Sequence, residues 1–270
     1  MTLDMVRDRG LVLVGCGKMG SALLAGWLAA GVPADAAHVM EPAPSDWLRG
    51  TGVRLNGPMP EAPAVVVVAV KPQMMGEALP RIAAMGGGAT LFVSIAAGTR
   101  IAAFEAVLGA GTPIVRTMPN TPAMVGRGIT AVCGNRAAGP GHLALTRALM
   151  AAVGQVVDLE GEHQIDAVTA VSGSGPAYVF HLIEALAAAG EAQGLPAGVA
   201  MQLARATVSG AGELAYQSPE TAAQLRINVT SPGGTTAAAL AVLMDAGMGL
   251  APLMARAVEA AAARGRELGA

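Results

Sequence analysis

Short runs of β-branched and aliphatic residues alternate with helix-forming stretches over roughly the first 160 residues, and this alternation then stops. The predicted strands lie at 11–15, 38–41, 64–70, 90–96 and 112–118, with two further runs at 128–134 and 154–160. Predicted helices lie at about 18–30, 73–84, 99–108 and 140–152. Continuous apolar strands that alternate with helices predict a parallel sheet with helices on both faces.

After Glu160 the sequence has only helical patterns. The predicted helices lie at about 162–170, 176–193, 197–216, 219–229, 235–245 and 248–267. We therefore predict two domains, residues 1–160 around the sheet and residues 161–270 made of helices alone. The helical half is rich in Ala and poor in large side chains, which favours a homodimer over a self-sufficient bundle.

Composition argues against several classes of protein. The chain has 17 Lys and Arg against 19 Asp and Glu, without a basic stripe, so we expect no nucleic-acid partner. Its only cysteines, Cys16 and Cys133, suggest a reducing compartment such as the cytoplasm. The most apolar run, 64–70, is far shorter than the roughly 20 residues of a membrane span, and the four histidines form no metal-binding pattern.

The sequence "GCGKMG", Gly15–Gly20, follows the first predicted strand and precedes a predicted helix. Its glycines permit a tight turn and the close approach of a pyrophosphate to backbone N–H groups at the helix start. Glu41 ends the second strand, where a carboxylate accepts hydrogen bonds from a ribose diol. This context favours a dinucleotide site over the alternative, a structural turn followed by a surface acid.

Two further segments follow strands on the edge where open α/β sheets bind ligands, and a third segment contains two prolines. They are "AVKPQ" (69–73), "SIAAG" (94–98) and "RTMPNTPA" (116–123). The first two are either cofactor contacts or ordinary strand-to-helix turns. In the third, Asn120 offers a donor and an acceptor to a cofactor, while a rigid hinge between the two halves is an equal alternative.

A break interrupts the helical half at "NVTSPGGTTAAAL", Asn228–Leu240. Pro232 and two glycines end one helix and let the backbone approach a ligand closely. The chain has lysines only at Lys18 and Lys71, so the helical half lacks a Lys general base. Reduction of a C=N bond needs such a base less than alcohol chemistry does, which favours an imine substrate.

These segments, together with "VTAVSGSGPAYVF" (168–180), closely resemble the pyrroline-5-carboxylate reductases, in the same order and along nearly the whole chain. The resemblance implies an α/β fold, a doubly wound Rossmann-type sheet followed by an all-α dimerisation domain. It also implies reduction of (S)-1-pyrroline-5-carboxylate to L-proline by NADPH or NADH, the last step of proline synthesis. A homodimer, and in some relatives a larger ring of dimers, is implied as well.

The resemblance also assigns residues. Cofactor contacts are implied for Gly15, Cys16, Gly17, Lys18, Met19, Gly20, Ala69, Val70, Lys71, Pro72, Ile95, Ala96, Ala97 and Asn228. Substrate contacts are implied for Glu162, Thr235 and Thr236.

We expect the substrate to bind at the helix break. A helix that begins near Thr235 presents free N–H groups to the substrate carboxylate, with Gly233 and Gly234 leaving room for it. Ser231 adds a hydroxyl hydrogen bond to the carboxylate. Thr236, as the catalytic residue, faces the ring nitrogen, where it either supplies the proton or orients the ring.

Glu41 departs from the family pattern, because many relatives have a small hydroxyl residue there. A carboxylate favours the free 2′-hydroxyl of NADH, although Arg49, nearby in sequence, offers an offsetting charge for NADPH. One alternative is a β-hydroxyacid dehydrogenase, which relies on a Lys that the helical half lacks. Another is a nucleotide-sensing protein without catalysis, which would have no reason to keep the Ser231–Thr236 break.

Overall fold

The computed structural model describes residues 3–269, and eight strands of this chain form one sheet. The strands are β1 Leu11–Val14, β2 Ala37–Met40, β3 Arg54–Leu55, β4 Val65–Val68, β5 Leu91–Ser94, β6 Ile114–Met118, β7 Gly128–Gly134 and β8 Gly154–Asp158. Their order in the sheet is β3-β2-β1-β4-β5-β6-β7-β8. All neighbouring pairs are parallel except β6 and β7.

Alternate residues of the central strands enter two separate hydrophobic clusters. Leu11 and Leu13 of β1 belong to one cluster, whereas Val12 and Val14 belong to the other. Because successive side chains of a strand point to opposite faces, the two clusters lie on the two faces of the sheet. The doubly wound sheet with helices on both faces is therefore confirmed.

Twelve α-helices are present in the described residues. They are α1 Leu3–Arg9, α2 Lys18–Ala29, α3 Asp46–Arg49, α4 Met75–Ile82, α5 Ile101–Leu108, α6 Pro140–Ala151, α7 Ile165–Val168, α8 Gly175–Ala192, α9 Ala197–Gln217, α10 Ala222–Asn228, α11 Thr235–Leu243 and α12 Leu250–Leu268. No strand follows β8 in the described chain, as the sequence pattern indicates.

The sequence does not predict β3, α1 or α3, all of which are short, so their residues carry little periodic signal. It also does not predict the reversal between β6 and β7. Only the 3₁₀ turn Thr121–Val125 separates these two strands. A parallel pair needs a crossover of a dozen residues or more, so this short link requires an antiparallel pair.

The contacts divide the chain into two compact units, later than the predicted boundary near residue 160. Unit 1 contains Met1–Gly173 and Ala262–Ala270, and unit 2 contains Ser174–Ala261. The segment after β8 stays with unit 1 because Ile165 is buried in a sheet cluster and Ala170 is also buried. Within residues 3–269, no helix combines the length and apolarity that crossing a membrane requires.

Candidate functional site

A cavity of about 800 Å³ opens at the carboxyl ends of β1 and β4, in unit 1. The chain leaves β1 toward β2 on one side, while β4 lies on the other, so this is the point where the strand order reverses. Open α/β sheets bind their ligands in such a crevice. The predicted cofactor residues that line the cavity are Gly15, Gly17, Glu41, Ala69, Val70 and Lys71.

The glycine loop is shaped by close backbone contacts. Gly15 has φ +88°, and a Cβ there would come within 2.9 Å of a Val70 methyl carbon and 3.0 Å of the Ala69 carbonyl oxygen. A Cβ on Gly20 would lie 2.5 Å from the Gly15 carbonyl oxygen. A Cβ on Gly17 would meet no chain atom within 4 Å. The first and third glycines therefore allow the turn, and the second leaves open space beside it.

Helix α2 begins at Lys18, directly after this loop, and its N-cap is Gly17, which provides no side-chain cap. The first N–H groups of a helix lack partners within the helix. Together with the helix dipole, these groups form a site for an anion. The loop and the start of α2, which includes Lys18 and Met19, thus have the geometry of a pyrophosphate cradle.

Glu41 lies at the end of β2, and both of its carboxylate oxygens accept hydrogen bonds from backbone N–H groups. Its Oε2 accepts a hydrogen bond from the Cys16 N–H at 2.7 Å, and its Oε1 accepts one from the Ala43 N–H at 3.0 Å. Asn56 binds the Glu41 backbone twice, accepting from its N–H at 2.9 Å and donating to its carbonyl at 2.8 Å. Glu41 is therefore held at the glycine loop.

The Cys16 thiol contributes no nucleophile to this loop. Burial, with a smaller contribution from the Glu41 carboxylate, raises the pKa of Cys16 to about 11. A thiol with so high a pKa stays protonated near neutral pH. Cys16 thus acts as a small side chain within the turn.

The segments that follow β4 and β5 differ in their relation to the cavity. Lys71 is the N-cap of the 3₁₀ turn Pro72–Met74, and its side chain is exposed. After β5, Ala96 is buried, and its N–H donates to the Ser94 hydroxyl at 3.2 Å. Ile95, Ala96 and Ala97 do not belong to the cavity lining, so their cofactor contacts stay predictions.

Asn120 has a structural contact that the sequence does not reveal. Its Oδ1 accepts a hydrogen bond from the Ile129 N–H at 2.9 Å, which fastens the 3₁₀ turn to β7. The segment joins β6 to β7 rather than the sheet to the helical half, so the hinge interpretation is wrong. The cofactor contact of Asn120 stays a prediction.

Glu162 lies beside β6 in unit 1, where it pairs with a buried arginine. Its Oε1 accepts from the Arg116 guanidinium at 2.7 Å and from the Ile101 N–H, at the start of α5, at 2.8 Å. The side chain of Arg116 is only 5% exposed and that of Glu162 is 29% exposed. Nearby, burial first and the Glu162 charge second raise the pKa of Cys133 to about 11. Both of these hydrogen bonds use Oε1.

The predicted helix break is present in unit 2. Helix α10 ends at Asn228, and α11 begins at Thr235 with Gly234 as an N-cap that provides no side-chain hydrogen bond. Gly233 has φ +69°, a left-handed conformation that favours glycine. The Gly234 N–H donates to the Ser231 carbonyl at 3.0 Å, which closes the turn. The turn and the helix start therefore lie where the sequence predicts them.

The side chain of Asn228 is part of a network at the end of α10. It donates to the Glu220 carboxylate at 3.0 Å and accepts from the Gln224 amide at 2.7 Å. Pro232 does not terminate α10, which already ends before it; the Thr230 hydroxyl donates to the Arg226 carbonyl at 2.6 Å in the last turn. The network gives the Asn228 amide a defined orientation.

Two residues of these sites, Asn56 and Arg116, are not among those predicted from the sequence. Asn56 carries a signal, because an Asn before a Gly is typical of a turn with positive φ, and Asn56 has φ 52°. Arg116 looks like one charge within a strand, and only the fold shows its pairing with Glu162. In the described part of the chain, no three His, Cys, Asp or Glu side chains come together as a possible metal site.

Two family models match the chain in the places that the fold suggests. Residues 162–268 match the family described as "Pyrroline-5-carboxylate reductase dimerisation". Residues 11–98 match the family described as "NADP oxidoreductase coenzyme F420-dependent". The second match covers β1 to β5 and the glycine loop, and the first covers the helices after β8.

Whole-chain similarities agree with these models. A pyrroline-5-carboxylate reductase from Synechocystis is 43% identical, over 96% of this chain and 98% of the relative. The structure of such a reductase from Coxiella burnetii has a TM-score of 0.91 at 33% identity, covering 97% and 99% of the two chains. The Plasmodium falciparum structure, with NADP bound, has a TM-score of 0.82 at 30% identity and covers 98% and 99%.

Proposed function

Since this chain belongs to the pyrroline-5-carboxylate reductase family, we propose that it reduces (S)-1-pyrroline-5-carboxylate to L-proline with NADPH or NADH. The reaction is the last step of proline biosynthesis, and the chain is an NAD(P)H-dependent oxidoreductase acting on a C=N bond. The observation that carries the proposal is the 43% identity to such a reductase over 96% of the chain. A β-hydroxyacid dehydrogenase would need a Lys in the helical half, and both lysines lie before residue 72.

The residues of the cleft fit a dinucleotide. The cavity of about 800 Å³ adjoins a loop in which Gly17 leaves open space and α2 offers uncapped N–H groups. This cradle would hold the pyrophosphate, and Glu41 would accept from the ribose. When bound, NAD(P)H supplies the hydride that the carbon of the C=N bond accepts.

The turn at Ser231–Thr236 is our proposed substrate site. The uncapped start of α11 offers backbone N–H groups, and its positive dipole end suits the substrate carboxylate. The Ser231 hydroxyl donates to the same carboxylate, while Gly233, Gly234 and Thr235 shape the turn around it. The Thr236 hydroxyl faces the ring nitrogen, which it either protonates or orients as the carbon accepts hydride. Asn228 is proposed to contact the cofactor, as the family resemblance implies.

Glu162 is proposed to contact the substrate through Oε2. Arg116 and the Ile101 N–H hold the other oxygen, so the carboxylate has a fixed direction. Because the Arg116 charge already balances this carboxylate, Glu162 would orient the substrate by accepting a hydrogen bond.

The chain forms a homodimer through its family dimerisation region, residues 162–268. We further propose a helical substrate-binding and dimerisation domain from residue 161, and a larger ring built from dimers. A cytoplasmic location fits the two cysteines, Cys16 and Cys133, which are both free thiols.

The proposal is tested by mixing the purified protein with pyrroline-5-carboxylate and following oxidation of NADH and of NADPH in separate reactions. We expect substrate-dependent oxidation with at least one cofactor. A matched reaction with 1-pyrroline, which lacks the carboxylate, should be much slower, because the α11 N-terminus then has no anion to bind. Failure of both cofactors to react would refute the proposal.

A further inference from the structure

The surroundings of Glu41 carry an inference about which of the two cofactors the chain uses. We propose that Glu41, held by Asn56, makes this protein select NADH over NADPH. The inference rests on the proposed function only in taking the cleft as the dinucleotide site. Four features of unit 1 support it.

The first feature is that the Glu41 carboxylate is anchored at both oxygens. Oε2 accepts from the Cys16 N–H at 2.7 Å and Oε1 from the Ala43 N–H at 3.0 Å. Hydrogen bonds from backbone N–H groups to a carboxylate are strong, since the acceptor is charged. The carboxylate therefore cannot turn away from the cavity without losing both hydrogen bonds.

The second feature is that Asn56 fixes the backbone that carries this carboxylate. The amide of Asn56 accepts from the Glu41 N–H at 2.9 Å and donates to the Glu41 carbonyl at 2.8 Å. Its own N–H donates to the Val39 carbonyl at 2.9 Å, which fastens Asn56 to β2. Among the described residues other than glycine, only Asn56 has a positive φ, at 52°. Asn56 is thus a positioning residue for Glu41.

The third feature is that both residues line the cavity beside the glycine loop. A free 2′-hydroxyl can donate to a carboxylate that already accepts two bonds, because each carboxylate oxygen accepts more than one. A 2′-phosphate brings two negative charges to the same place and offers no proton near neutral pH. A carboxylate that cannot move away therefore repels it.

The fourth feature is the placement of positive charge. On the side of β2 and β3, the described residues that line the cavity include Met40, Glu41, Asn56 and Met59. No Lys or Arg is among the described lining residues on this side. The basic lining residues, Lys71 and Arg81, follow β4 on the other side of the crevice. Arg49, the last residue of α3, does not line the cavity.

The test measures dissociation constants of NADH and NADPH from nicotinamide fluorescence on the full-length protein, without substrate. We expect NADH to bind at least about tenfold more tightly at low ionic strength, from repulsion between close charges in a partly buried site. Because screening by salt weakens that repulsion, the ratio should fall as salt is added. Equal affinities, or tighter binding of NADPH, would overturn the inference, whether or not the protein reduces pyrroline-5-carboxylate.

Three variants assign the effect to residues. Glu41→Gln removes the charge and should bring the two affinities within about threefold, with little salt dependence of the ratio. Asn56→Gly keeps the positive φ and removes the two side-chain hydrogen bonds to the Glu41 backbone. It should therefore narrow the ratio of the two affinities, mainly by weakening the binding of NADH. Glu77→Gln removes another carboxylate of the same cavity and should leave the ratio unchanged.

Two results would contradict the roles of these residues. If Asn56→Gly weakened the binding of both cofactors equally, the role of Asn56 would be to maintain the fold of the loop and not to position Glu41. If Glu77→Gln narrowed the ratio as much as Glu41→Gln, the selectivity would come from the overall charge of the cavity.

Discussion

The Arg116–Glu162 pair shows how one side chain serves both folding and chemistry. Arg116 is charged and 5% exposed, so its charge has little water to stabilise it. Glu162 supplies the opposite charge at 2.7 Å and also accepts the Ile101 N–H at the start of α5. Loss of the carboxylate charge would leave a buried guanidinium without its counter-ion.

We therefore expect Glu162→Gln to lower the free energy of unfolding by about 2 kcal/mol, less than for a fully buried pair because Glu162 is partly exposed. The measurement is urea unfolding at one fixed protomer concentration, since the stability of a dimer depends on concentration. Glu160→Gln is the matched control, because Glu160 is exposed two residues away. Equal stability of the two variants would show that the pair contributes nothing to folding.

Thr236 and Ser231 are expected to act on different kinetic constants. Thr236→Val keeps the shape of the side chain and removes one transition-state hydrogen bond, so kcat should fall by roughly ten- to a hundredfold. Ser231→Ala removes a bond to the substrate carboxylate, so it should mainly raise KM. Both constants follow from initial rates over a range of substrate concentration. Wild-type kinetics in the Thr236→Val protein would remove Thr236 from the mechanism.

At the scale of elements, the loop between β1 and α2 assigns different tasks to its glycines. A Cβ on Gly20 would lie 2.5 Å from the Gly15 carbonyl oxygen, so that substitution would force β1 and α2 apart. A Cβ on Gly17 would meet no chain atom within 4 Å, yet it would project where the cofactor backbone contact is proposed. An alanine at position 20 should therefore affect stability, whereas an alanine at position 17 should affect cofactor binding.

Gly20→Ala is expected to lower the Tm by several degrees, for a clash of order 1–3 kcal/mol. Gly17→Ala should leave the Tm unchanged and weaken NADH binding by about tenfold or more, because the methyl group would occupy the pyrophosphate cradle. Calorimetry and fluorescence titration give the two quantities. Gly111→Ala, in a turn outside this cleft with open space around it, is the control for both. Unchanged NADH binding in Gly17→Ala would place the cofactor elsewhere.

The long elements could be predicted from the sequence because their signals are local. The run 64–70 predicts β4, and the Pro and glycines at 232–234 predict the break before α11, since each residue acts on its own backbone. The Arg116–Glu162 pair could not be predicted, because the two residues are far apart in sequence and only the fold brings them together. The antiparallel direction of β7 is not predicted because the apolar pattern of a strand carries no direction, although the short link from β6 requires it. Asn56 lies between these cases: its turn is visible in sequence, but its partner Glu41 is not.

At the scale of the whole molecule, unit 2 exposes many large apolar side chains. On α8 alone, Phe180 is 60% exposed, Leu182 is 48% exposed and Leu186 is 43% exposed. Apolar area of this extent is typical of a surface that another subunit covers. It agrees with the match of this region to the family's dimerisation model.

We expect the protein to sediment as a dimer or a larger assembly of dimers at assay concentrations, and Phe180→Glu to shift it toward monomer with loss of activity. A charge buried in an apolar interface is strongly unfavourable. Gln193→Glu adds the same charge at the exposed end of α8 and should leave assembly unchanged. A full-length protein that is active as a monomer would contradict this expectation.

The central claim, that this chain delivers hydride to the carbon of a C=N bond, is tested most directly by isotope transfer. The protein is incubated with pyrroline-5-carboxylate and NADH carrying deuterium at both C4 positions, and the product is analysed by mass spectrometry and NMR. We predict L-proline with a single deuterium, on the ring carbon that was double-bonded to nitrogen. Proline without deuterium, or no proline although the labelled cofactor binds, would contradict the claim.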